Sequence, residues 1–106
     1  MKVIAINGSP RKGGNVSQCL DVMAAEFAKE GIEFEVLQPG PRVHPCMACY
    51  HCLNEGDIHC IQKDDMQKVY PELNSADMVV FASSVHYFGF TGQMECTLSR
   101  FYAGMK

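Results

Sequence analysis

Four of the chain's six cysteines crowd into one stretch, Cys46, Cys49 and Cys52 at two-residue spacing and Cys60 eight positions on. Three thiols so spaced can turn their sulfurs toward one centre, and Cys60 can close a fourth corner across Gly56. Four thiolates are what a 4Fe-4S cluster takes. A tetrahedral zinc site takes the same set, with His51 and His59 able to substitute. Cys46 and Cys49 could instead cycle as a dithiol, or the segment could be an unoccupied, partner-facing lid.

A second chemical stretch lies near the start. The apolar run Val3-Ile4-Ala5-Ile6 passes directly into Asn7-Gly8-Ser9-Pro10-Arg11-Lys12-Gly13-Gly14-Asn15, and a helical pattern follows. Its glycines let backbone N–H groups approach an anion, Ser9, Asn15 and Ser17 add donors, and Arg11 and Lys12 add positive charge. Helix-start N–H groups face the same point. The spacing fits neither a P-loop nor a dinucleotide fingerprint, so a compact monophosphate suits it better.

A third stretch, Ser83-Ser84-Val85-His86-Tyr87-Phe88-Gly89-Phe90-Thr91-Gly92, mixes aromatic and small polar residues after an apolar run. Loops of that composition at the carboxyl end of a strand bind flat ligands.

Regular elements must position these stretches. Val16, Cys19, Leu20, Met23, Ala24, Phe27 and Ala28 form an i, i+3, i+4 stripe, with Asn15 as N-cap and Gly31 just past the end. Cys19, on that stripe, is expected in the core. Glu33 to Leu37 alternates as an edge strand does, so strand, helix and strand make a right-handed parallel crossover. Gln38 to Lys63 has no period and contains Pro39, Pro41 and Pro45. Asp64-Asp65 caps a second helix with Met66, Val69, Tyr70 and Leu73 on one face, and Pro71 predicts a kink or restart within it. Met78 to Ala82 is continuous apolar sequence, predicting a third strand covered on both faces. Gln93 to Tyr102 is the third helix, with Met94, Thr97, Leu98 and Phe101 on one face.

These elements predict one α/β domain over residues 1–106, a three-layer sandwich whose parallel strands run 2-1-3 with the ligand loops at the carboxyl edge. With 47% apolar and 20% charged residues the chain is globular, and a net charge of −3 with scattered basic residues gives no nucleic-acid footprint. No apolar run reaches membrane-spanning length and the start lacks a signal peptide's apolar core, so a cytoplasmic location is expected.

Taken together, the Asn7–Asn15 loop, the spacing Cys46-x2-Cys49-x2-Cys52-x7-Cys60 followed by Asp64-Asp65-Met66, and Val85-His86-Tyr87-Phe88-Gly89 with Gln93 and Arg100 resemble the flavodoxin-like NADPH-dependent FMN reductases, in particular their iron–sulfur flavoprotein branch. The resemblance implies an FMN phosphate held by Ser9, Arg11, Lys12, Gly14, Asn15, Val16 and Ser17. It places the flavin ring against Ser84, Val85, His86, Tyr87, Phe88 and Gly89, with NAD(P)H as electron donor and a 4Fe-4S cluster on Cys46, Cys49, Cys52 and Cys60. Val16 stands where the family usually has threonine, and Ser84 and His86 where proline and tyrosine are usual. The resemblance covers only the first half of the family's fold. An unpaired third strand then predicts a homo-oligomer, or a partner chain carrying the missing half; a redox-protein partner is a further expectation. The alternative is a truncated, non-catalytic module whose cysteine loop binds metal or a partner.

Overall fold

The computed structural model describes residues 1–11, 13–39, 42–54 and 60–104. Three parallel strands, β1 (Lys2–Asn7), β2 (Glu33–Leu37) and β3 (Met78–Ala82), form a sheet in the order β2-β1-β3. Val3 pairs with Phe34 on one side and Met78 on the other, so β1 is central. Its β-branched residues explain both the strand and its place: Val3, Ile4, Ala5 and Ile6 are completely buried.

The alternation of β1 sorts the helices into two layers. The face carrying Val3, Ala5 and Asn7 meets α1 (Asn15–Lys29), where Phe27 stacks on Phe34 at 5.2 Å. The opposite face carries Lys2, Ile4 and Ile6 and meets α2 (Tyr70–Ser75) and α3 (Gly92–Ser99). There Ile6 packs with Met66, Val69, Tyr70 and Met94, and Lys2 Nζ bonds Glu72 at 2.5 Å. This is the flavodoxin-like three-layer arrangement expected from the sequence.

Local details correct several expectations. Gly14, not Asn15, occupies the cap of α1, because the turn at Gly13 (φ 67°) lets the helix begin one residue early, with Gln18 N bonded to Gly14 O at 3.1 Å. Cys19 and Ala28 are exposed, not in the core. The helix packs mainly on β2, so its buried arc narrows to Leu20 and the half-buried Val16, Met23, Ala24 and Phe27. Gly31 (φ 69°) ends it as anticipated, with Ile32 N bonded to Phe27 O at 3.0 Å in a Schellman arrangement.

The second helical segment does restart. A 3-10 turn, Asp65–Lys68, capped by Asp64 Oδ1 accepting from Met66 N at 3.1 Å, gives way to α2 with Pro71 in its first turn, where no intrahelical N–H is needed. β3 is not covered on both faces: Met78 is 44% and Phe81 37% exposed, since β3 lies at the sheet's edge. The third helix ends at Ser99 and tightens into a 3-10 turn over Arg100–Gly104.

Candidate cofactor site

The loop after β1 is built around a side chain that sequence reasoning did not single out. Asn7, 3% exposed, accepts from Ser9 N at 2.9 Å and donates through Nδ2 to Ser17 Oγ at 3.2 Å, so it ties the loop's entry to the first turn of α1. Ser9 is itself framework, its Oγ accepting from Arg11 N at 3.3 Å and its carbonyl from Gln38 Nε2 at 3.0 Å. Among the described residues no side chain caps α1, and no acidic residue lies in its first turn. A helix start of this kind presents N–H groups and a positive dipole end that an anion can meet. Arg11 and Asn15 are exposed beside it, Gly14, Val16 and Ser17 half-buried, and Lys12 lies outside the described residues.

The loop after β3 is joined to this one. Gly8 N donates to Ala82 O at 2.8 Å, and the fully buried Thr91 donates from Oγ1 to Gly8 O at 2.6 Å while accepting from Met94 N at 3.1 Å. The approach is close enough that a Cβ on Gly8 would stand 2.7 Å from Met94 Cβ. In the sequence Thr91 is one small polar residue of the loop after β3, and nothing local marks this role.

Ser83, Ser84, Val85, Phe88, Gly89 and Glu95 line an open groove of about 300 Å³. Four of the six expected ring contacts are among them. His86 and Tyr87 are not: His86 closes a tight turn, its N bonded to Gly89 O at 3.0 Å and its O to Gly89 N at 3.1 Å. Tyr87 (φ 49°) and Phe88 (φ 67°) form the turn's corners, in a left-handed region that bulky side chains avoid, and are 96% and 95% exposed. Their rings meet edge to face at 5.5 Å.

The four expected cysteine ligands line one cavity together with Arg100. All four are free thiols; Cys52 belongs to the core, Cys60 packs against it, and Cys46 and Cys49 are exposed. Ala48 (φ 55°) and Tyr50 (φ 60°) bend the chain between them, and Ala48 N donates to Cys46 Sγ at 3.4 Å. Among the described residues no three His, Cys, Asp or Glu side chains converge tightly enough to hold a metal ion. What fits a sulfur-ligated centre is the donor set itself, four thiols around one cavity beside a buried cation. His59 and Gly56 lie outside the described residues.

That cation anchors the segment. Arg100, 2% exposed, bonds Asp64 Oδ2 at 2.5 Å, His44 O at 3.0 Å and Gln62 O at 3.4 Å. Asp64 in turn accepts from His44 N at 3.1 Å. Burial acts to raise the Asp64 carboxyl, but the bonds from Arg100, His44 N and Met66 N prevail and hold it below its ordinary range. Burial likewise opposes the Arg100 charge, which the Asp64 hydrogen bond and the neighbouring side chains together more than restore. Tyr70, whose hydroxyl donates to Arg100 O at 3.0 Å, is pushed up to about 12 chiefly by burial.

With this geometry in view, the likeness to known proteins is clear. The NADPH-dependent FMN reductase family matches residues 1–105, and the chain belongs to it. An iron–sulfur flavoprotein of Archaeoglobus fulgidus is 37% identical over 94% of this chain and 45% of its own length. One of Methanocaldococcus jannaschii is 33% identical over 94% of the chain and 51% of its own length. A Bacillus subtilis protein whose name places it among NAD(P)H-dependent FMN-containing oxidoreductases is 30% identical, again over 94% of the chain and 51% of its length. The chain thus spans about half the length of the curated relatives it matches.

Proposed function

We propose that the chain is an FMN-binding oxidoreductase module that takes electrons from NAD(P)H and exchanges them with a 4Fe-4S cluster held by Cys46, Cys49, Cys52 and Cys60. The observation that carries this reading is the joining of two ligand loops at one sheet edge, the Thr91–Gly8 bond setting the uncapped start of α1 beside the groove after β3. In this reading Gly14, Val16 and Ser17 offer backbone N–H groups to the FMN phosphate, Arg11, Lys12 and Asn15 add charge and a donor, and Asn7 and Ser9 hold the loop's shape. Ser84, Val85, Phe88 and Gly89 flank the flavin, with His86 and Tyr87 at the rim. Flavin supplies two-electron chemistry and the cluster one-electron steps. Reduced thiols suit a cytoplasmic location.

The absorbance spectrum of purified chain tests the cofactors, with flavin bands and a broad iron–sulfur shoulder expected. Asn15→Ala with Ser17→Ala should weaken FMN binding about tenfold or more, since a side-chain donor to a charged group is lost together with the Asn7–Ser17 bond that ties the loop to α1. Unchanged FMN affinity in that double variant would place the phosphate elsewhere.

A further inference from the structure

We propose that Arg100 is the counter-charge of the cysteine cavity, its Nε–H donating to a sulfur of the iron–sulfur centre, with Asp64 setting how much of its charge that centre feels. The proposal rests on the reading of Cys46, Cys49, Cys52 and Cys60 as the ligands of a cluster. A guanidinium carries five N–H donors in a rigid fork. In Arg100, Nη1 is committed to Asp64 and His44 O, and Nη2 reaches Gln62 O. Those carbonyls lie two residues before Cys46 and two after Cys60, so the fork clamps both ends of the cysteine segment. Of its three nitrogens, Nε alone has no hydrogen-bond partner among the described residues, although it is buried. A buried, unpaired donor on a charged group is rare enough to need an explanation.

The cavity supplies one. Arg100 lines it with all four thiols, and its charge lies within electrostatic reach of Cys60. Asp64 is on the other side of the account, bonded to Arg100 but not lining the cavity. Hydrogen bonds to sulfur, net charge and burial are what tune the potential of such centres. A buried cation with a free donor favours the more negative, reduced state and raises the potential; the neighbouring carboxylate opposes it. A clamp with only a structural role has no reason to act with opposite signs at its two ends.

The full chain, reconstituted anaerobically with iron and sulfide, gives the test through iron content and the spectroelectrochemical midpoint potential. Arg100→Gln should lower the midpoint so that the reduced-to-oxidised ratio at fixed potential falls about tenfold, about 59 mV for one electron. Arg100→Lys, which keeps charge but loses Nε, should lower it by less. Asp64→Asn, which keeps an acceptor but loses charge, should raise it. Should Arg100→Gln not take up iron, the opposite signs of Arg100→Lys and Asp64→Asn decide. A wild-type chain that binds about four irons, but whose midpoint is unmoved or moves the same way in both of those variants, overturns the proposal alone. A wild-type chain without iron overturns the cluster reading beneath it, before any variant is measured.

Discussion

Thr91 donates its hydroxyl to the Gly8 carbonyl at 2.6 Å across 83 residues of sequence, and the same oxygen caps α3 through Met94 N. One buried side chain thus couples the phosphate loop to the ring loop. Thr91→Val removes the donor and the cap while keeping the shape, leaving Gly8 O and Met94 N unpaired in the interior. We expect a loss of about 2 kcal/mol in urea unfolding, with weaker FMN binding, and near-normal behaviour for Thr91→Ser.

The turn at Tyr87 and Phe88 stores strain, about 1–3 kcal/mol for each left-handed residue. In the proposed reading the flavin packs against these rings. Replacing the pair by Asn-Gly, the sequence that a two-residue turn of this hand favours, should raise the melting temperature and weaken FMN binding together. A variant that is stabilised with unaltered flavin affinity would remove these rings from the site.

Acid should act through Asp64. Its folded pKa is depressed, so its stabilisation is complete above the ordinary carboxylate range and is lost as pH falls through the folded value. Below about pH 4 the wild type should lose stability faster than Asp64→Asn, read as the slope of unfolding free energy against pH.

Alkali should act through Tyr70, whose pKa is raised to about 12. The neutral phenol bonds Arg100 O, so this contribution is intact below the ordinary tyrosine value of about 10 and disappears as pH climbs toward 12. Tyr70→Phe should flatten that fall in an alkaline unfolding series.

Among the described residues β3 has one neighbour in the sheet, and Met78, Phe81, Val85, Tyr87 and Phe88 are exposed along and beyond it. An edge of that kind, without lysine or proline, invites another strand. Light scattering at micromolar concentration should return at least twice the mass of one chain, and a lysine at Met78 should shift the population toward the monomer.

Much of this molecule follows from local chemistry. β-Branched residues in β1, the helical stripe after Gly14, Pro71 inside an apolar pattern and Gly31 after Lys29 act through rules that span a few residues, so strand order, helix restart and helix stop were legible in the sequence. So was the family. What the sequence could not decide depends on partners brought from far along the chain. Cys19 and Phe81 look like core residues by type, but their burial depends on how far α1 and the sheet extend. Asn7, Thr91 and the Arg100–Asp64 pair are polar residues whose roles exist only once residues 10, 83 and 36 positions apart are within hydrogen-bonding distance. Periodicity reports which face of an element is apolar; only the packed structure decides which polar groups are shut away from water and must find one another.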